Sequence, residues 1–472
     1  MILKEALSYD DVLLIPKKSN IFSRKDVNTS SQITKKIKLN VPFISANMDT
    51  ITEHKMAITM ARHGGIGIIH RFMPIEKEVE QIKKVKRSES IIIETPLTLT
   101  SDKKLKDVKD ITTEHGISGV LITENRKLKG ILTSRDMIFE KNLDKRISEI
   151  MTKDVITAKY GISIEDAREI LEKNKIEKLP LIDEEGNLRG LITTKDIQKK
   201  ENYPKASKDQ KGRLLVGASV GAIGDYIERA AAIIDAGVDI IVIDIAHGHS
   251  DHTIKAIKEI KKQFGDIQIM AGNVATPEAT TDLIAAGADC IKVGIGPGSA
   301  CTTRIVTGAG VPQLTAVMNC TEAANDIPIL ADGGLKNSGD ITKALAAGAS
   351  CIFSGLLFSG TDECPGSTLL KNGRRYKVYR GSAGYGTALA RKQINGEEDE
   401  TDVHNVVPEG VESIVPYKGP LSEVIFQLVG GLRSGMSYCG AETIRKLRMN
   451  SEFVKITNAG MKESHHHDIG II

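Results

Sequence analysis

One phrase recurs along this chain: a short apolar run, a helical stretch, then the next apolar run. From Leu214 onward the runs are "LLVGASV", "IIVIDIA", "IQIMAGN", "CIKVGIG", "IPILADGG" and "CIFSGLLFSG". Strands that read as apolar on both faces and alternate with helices pair in parallel, under a cover of helices. Three joints share one grammar, "DAGVDII" from Asp235, "AAGADCI" from Ala285 and "AAGASCI" from Ala346, each ending a helix at a glycine and feeding a strand. Two more runs, "VPFISAN" from Val41 and "GIGIIH" from Gly65, flank the helical "TEHKMAITMARHGG". Six strands and two make the eight of a (β/α)8 TIM barrel, so the expected fold is an α/β barrel.

Between the second and third of these strands lies a stretch of different character, residues 94–202, rich in Lys, Glu and Ile. It repeats internally: "LKGILTSRDMI" from Leu128 returns as "LRGLITTKDIQ" from Leu188, about 60 residues later, each after a strand-like segment. We read it as an inserted pair of cystathionine-β-synthase-type (CBS) repeats, with residues 1–93 the first part of the barrel and 203–472 the remainder. Two readings of the insertion stand side by side, a purely structural one and a nucleotide-sensing one with Asp136 and Asp196 as ribose contacts.

Composition narrows the function. The 64 Lys and Arg nearly balance 61 Asp and Glu, and the basic residues are scattered without aromatic interleaving, so neither a nucleic-acid surface nor a membrane surface is expected. Six cysteines without a CxxC point to reduced thiols and a cytoplasmic setting. The start, "MILKEALSYDDVLL", lacks the pattern of a signal peptide, and no apolar run is long enough to span a bilayer.

A parallel barrel does its chemistry at the carboxyl ends of its strands. There this chain carries Asp244, His247 and Ser250 after strand four and Asn273 at strand five. Ser299, Cys301 and Thr303 follow strand six, and Asp332, Gly333 and Gly334 follow strand seven. Glycines in the last three loops suit a phosphorylated ligand held by bare backbone N–H groups. Cys290, Cys320, Cys351 and Cys439 read as small buried hydrophobes, whereas Cys301 sits in the loop "GIGPGSACTTR", where a thiol is open to activation. With no third ligand beside His247 and His249, a metal centre there is not expected.

At Cys301 the sequence resembles the inosine monophosphate dehydrogenase / GMP reductase family. The likeness runs through "SYDDVLLIP", "SANMDTITE", "AHGHS", "AGNVAT", "GIGPGSACTTR", "ADGG", "RRYKVYRG", "VVPEGVESIVPYKG" and "GGLRSGMSYCGA", nearly the whole chain. It implies that Cys301 attacks C2 of a purine mononucleotide, with hydride exchanged with a nicotinamide (NAD or NADPH), and that Thr303 and Glu409 assist. It further implies Asp332 on the ribose, Ser299, Gly334, Gly355 and Tyr379 on the phosphate, and Asp244, Asn273 and Gly294 towards the nicotinamide nucleotide. A potassium ion would take carbonyls of Gly296, Gly298 and Cys301, with Glu463, Ser464 and His465 from a neighbouring subunit of a homotetramer or octamer.

The two branches of the family part at the flap, residues 381–407. The dehydrogenase, oxidising IMP to XMP with NAD, needs an Arg-Tyr pair to activate water; the reductase, converting GMP and NADPH to IMP, ammonia and NADP, does not. Here the pair's place is taken by Asn395 and Gly396, and Arg391 has no tyrosine beside it. "RGSAG" at Ser382, Ala383 and Gly384 matches neither branch's usual base-binding turn, and Ser354-Gly355 inverts the usual order. The residues therefore tilt the expectation to a GMP reductase, with IMP dehydrogenase as the alternative and a non-catalytic nucleotide-binding regulator as a third reading.

Overall fold

A computed structural model describes the chain except residues 1–2, 90–91, 388–406 and 467–472 and the side chains of 199–201. Eight parallel strands close into a barrel: β1 (Phe43–Ser45), β2 (Ile66–Ile69), β3 (Val216–Val220), β4 (Ile240–Asp244), β5 (Gln268–Val274), β6 (Cys290–Val293), β7 (Ile329–Asp332) and β8 (Cys351–Ser354). These are the eight runs read from the sequence. Closure is made by β8 against β1, with Ile352 opposite Phe43, Phe353 opposite Ile44 and Ser354 opposite Ser45.

Side chains alternate along a strand, and that period sorts the barrel. Inward positions Ile44, Ile68, Val242, Met270, Leu330 and Phe353 form one apolar cluster that fills the interior. Outward positions such as Ile241, Ile243, Ile291 and Ile352 pack under the helices in a second, larger cluster. The helix Asp251–Phe264 shows why those helices lie down: Thr253, Ala256, Ile257 and Ile260 fall on one face and are buried. Its start is fixed by Ser250, whose hydroxyl accepts from the Thr253 N–H. The helix Pro277–Ala286 begins with Pro277 at its first position and ends at Gly287, φ +112°, the glycine of "AAGADCI".

The chain divides into two compact units, the barrel unit and a second of residues 89–204 with 211–213. The second unit holds two three-stranded sheets. Thr98–Leu99, Gly119–Glu124 and Lys127–Thr133 make one; Ala158–Lys159, Lys178–Ile182 and Leu188–Thr193 make the other. Each sheet has its own apolar cluster and helix, Leu105–His115 and Ile164–Asn174. In each half the last strand turns into a helix through a Thr-x-x-Asp cap: Asp136 accepts from the Thr133 N–H at 2.7 Å, and Asp196 accepts from the Thr193 hydroxyl. Among the described residues no helix is long and apolar enough to cross a membrane.

Within the barrel unit, a buried ion cluster holds the two chain segments that flank the insertion. Lys86, at the end of helix Ile75–Arg87 and only 4 % exposed, places Nζ 2.6 Å from Asp239 and 3.2 Å from Asp209. Asp239 also accepts the Val216 N–H that opens β3, at 2.8 Å. Burial pushes the Asp239 carboxyl up, and Lys86 pulls it back. Lys86→Met removes the shared cation from two largely buried carboxylates, and a loss of about 3 kcal/mol is expected in urea unfolding of the barrel.

Candidate active site

The loops after β6, β7 and β8 meet at one rim. Two pieces of backbone pin the cysteine loop to the segment after the flap: Thr302 N–H donates to Glu409 O at 2.8 Å, and Val411 N–H donates to Ala300 O at 2.9 Å. Glu409 N–H in turn donates to Ala383 O at 3.1 Å, so "RGSAG" forms the third layer of this stack. The result is a hydrogen-bonded line of side chains. The Cys301 thiol donates to Thr303 Oγ1 at 3.1 Å, and the Thr303 hydroxyl donates to Glu409 Oε2 at 2.8 Å. Such a line can carry a proton from the thiol towards a carboxylate.

Arg304 stiffens the loop from beneath, donating to the carbonyls of Ile295 and Val311. A Cβ on Gly294 would lie 2.2 Å from the Asp332 carbonyl oxygen, so only glycine lets the β6 loop pass this close to the end of β7.

Beside the line, Ser299 Oγ and Tyr379 Oη lie 3.1 Å apart. Burial raises the Tyr379 phenol although Ser299 bonds it, so it stays protonated and able to donate. Gly355 sits against the same phenol, where a Cβ would be 3.3 Å from Oη. Gly334, φ +76°, lies beside Pro297 of the cysteine loop. Ser299, Tyr379, Gly355 and Gly334 therefore come together from four separate stretches of sequence.

On the other side of the mouth Asp244, Asn273 and Asp332 converge. Asn273 Nδ2 donates to Asp332 Oδ2 at 2.7 Å and to Gly294 O at 2.8 Å. Lys292 joins them from inside β6, 3 % exposed, with Nζ 3.2 Å from Asp244 Oδ1 and 3.1 Å from Asp332 Oδ2. The Asp244 carboxyl is under desolvation that would raise it, yet Lys292 and Arg71 hold it below the usual carboxylate range. The Asn47 amide also faces Asp244, but its buried Nδ2 makes no well-formed hydrogen bond. Sequence reading missed Lys292, Asn47 and Arg71; a lone lysine at an inward position of "CIKVGIG" was the available signal.

Other expected residues fall elsewhere. Ser250 is spent on a helix cap, His249 bonds Asp282 at 2.9 Å, and His247 is exposed with its ring edge-on to that of His249. Glu463 ends the helix Asn458–Glu463, and Ser464 and His465 bond back to Gly460 O and Met461 O. Arg391, Asn395 and Gly396 lie outside the described residues. In the second unit Asp136 lines a cleft of about 260 Å³ with Thr133, Lys178 and Glu177; Asp196 does not line it.

Comparison with known proteins follows the same pattern. The model of the IMP dehydrogenase / GMP reductase domain matches residues 6–467. An inosine-5'-monophosphate dehydrogenase of Nitrosopumilus maritimus is 51 % identical over 471 residues, 99 % of each chain. One from Aquifex aeolicus is 53 % identical over 475 residues, 99 % of this chain and 96 % of its own. Among solved structures, GMP reductase from Trypanosoma brucei in complex with guanosine 5'-monophosphate superposes with a TM-score of 0.93 at 41 % identity over 99 % of both chains. The same reductase in complex with guanosine 5'-triphosphate gives 0.82 at 37 % identity, over 97 % of this chain and 99 % of its own. With a thiol line at the barrel rim and likeness from end to end, the chain belongs to the IMP dehydrogenase / GMP reductase family.

Proposed function

We propose that this chain is an IMP dehydrogenase, oxidising IMP at C2 with NAD to give XMP. The observation that carries the reading is the Cys301, Thr303, Glu409 line set in a chain 51 % and 53 % identical, over almost all its length, to relatives named as that enzyme. This reverses the weight that the flap alone suggested. GMP reductase stays as the second reading, on the missing Arg-Tyr pair and the reductase structures.

In either direction the first step is the same. Glu409 draws the thiol proton through Thr303, and the Cys301 sulfur adds to C2 of the purine. A nicotinamide supplies the hydride acceptor or donor. In the dehydrogenase the C2 hydrogen leaves as hydride and water then opens the C2–S bond. In the reductase ammonia leaves the GMP adduct, and hydride returned to C2 releases IMP.

Asp332 takes the ribose hydroxyls, and the Ser299 and Tyr379 hydroxyls with the backbone at Gly334 and Gly355 take the phosphate. Asp244, Asn273 and Gly294 border the nicotinamide nucleotide. Carbonyl oxygens of Gly296, Gly298 and Cys301 are hard donors of the kind potassium accepts; that of Gly298 already accepts the Cys301 N–H and has a second lone pair to give. Glu463, Ser464 and His465 would complete the set from a neighbouring subunit of a homotetramer, which a pairing of insertions would extend to an octamer. The insertion we assign to a CBS pair, with a regulatory nucleotide in the cleft beside Asp136.

The deciding assay is absorbance at the reduced-nicotinamide band, with potassium present. A rise with IMP and NAD, and no change with GMP and NADPH, is expected; the converse makes the protein a reductase. Cys301→Ala should abolish turnover in both, and Thr303→Val or Glu409→Gln should lower kcat by about a hundredfold or more.

The thiols give an independent check. Cys290, Cys320, Cys351, Cys364 and Cys439 are buried, and burial pushes each thiol up, whereas Cys301 is half-buried. Brief iodoacetamide treatment of the folded protein should alkylate Cys301 first, by peptide mass spectrometry, and IMP should protect it.

A further inference from the structure

Lys292 has no part in the chemistry above, yet it occupies the centre of the mouth. On β6 the alternation turns Cys290 and Lys292 inward, and the lysine stem passes over the Phe353 ring, with Nζ 4.9 Å from its centroid. Space for that stem is made by Gly272 on β5, where a Cβ would be 2.4 Å from the Lys292 carbonyl oxygen and 2.7 Å from its Cβ. Nζ also donates to Asn273 Oδ1, so one ammonium ties together the ends of β4, β5 and β7.

A solitary buried ammonium would shed its proton. Burial acts in that sense on Lys292, but Asp332 and Asp244 outweigh it and hold the lysine above its ordinary range. Among the described residues, Arg71 acts on Asp244, and Tyr379 feels both Asp332 and Cys301.

We propose that Lys292 is a positioning residue whose single ammonium holds Asp332 and Asp244 in register across the barrel mouth, so that the nucleotide and nicotinamide halves of the site share one charge. The inference rests on the reading of those two aspartates given under Proposed function. Both carboxylates contact one nitrogen, so they stand no farther apart than the two contacts laid end to end. Without the cation, like-charge repulsion raises the proton affinity of the pair, and with Arg71 still beside Asp244 the expected site of protonation is Asp332. A protonated Asp332 donates where it should accept the ribose hydroxyls.

The test is IMP binding to the full chain by isothermal titration calorimetry from about pH 6.5 to 8.5, each variant read as a ratio to the unaltered protein. Lys292→Met is expected to bind about tenfold more weakly at neutral pH and to recover as pH rises and the extra proton leaves. The double variant Lys292→Met with Asp244→Asn keeps one carboxylate in the cluster and should lose the pH step. A loss in Lys292→Met that is the same at every pH, no loss at all, or a step that persists in the double variant overturns the proposal.

Circular dichroism checks folding. If Lys292→Met does not fold, Lys292→Gln takes its place with the same expectation. If neither folds, Lys292→Arg, which keeps the charge, must bind without a step, and a step overturns the proposal. Failure of the unaltered protein to bind IMP or GMP at any pH would sink the functional reading instead, a result separable from the pH comparison.

Discussion

The pairing of β8 with β1 joins strands at opposite ends of the barrel's sequence, and the rim depends on it. Three residue pairs in register bring the segment after β1 to the loops of the late strands. Met48 then packs where a Cβ on Gly355 would be 2.6 Å from its sulfur, and Asp49 takes an ion pair with Arg380 at the foot of the flap. Such contacts are non-local, so their order is established only after most of the chain has collapsed. The site is accordingly a property of the closed barrel, in which Met48 from the first strand's end meets Gly355 from the last.

Inside the closed barrel the alternation of side chains sets two climates. Below the rim the inward residues are apolar and close-packed, a dry floor. At the strand ends the same inward positions carry Asp244, Lys292 and Asp332. Charges are tolerated there because each has an opposite partner at hydrogen-bond distance and the mouth opens upward. The low dielectric beneath makes their mutual attraction stronger than it would be in water.

The barrel was legible in the sequence because its strands are compact apolar runs, most of them alternating with helices, and three of those helices run into a glycine before the next strand. Cys301 was legible because a thiol in a Gly-Pro-Gly-Ser loop has no packing reason to be there. Lys292 was not, since a single lysine in "CIKVGIG" is lost in an otherwise apolar strand and its inward direction appears only once register is known. Nor did local pattern link Thr303 with Glu409, which are 106 residues apart and are joined by backbone pairing across Ala300 and Thr302. The flap and the relatives' names weigh the direction of the reaction differently. A short flap departs from its family's wording, while the 51 % and 53 % identity to the named dehydrogenases is spread over the whole chain.

The Lys86 cluster also bears on how the barrel carries its inserted unit. With the residues just before and just after the insertion fastened to one buried ammonium, the barrel experiences everything between as a single loop with its ends already tied. The entropic cost of closing such a loop grows only with the logarithm of its length. The loop-closure part of the barrel's folding free energy therefore changes little with the length of what lies between the tied ends.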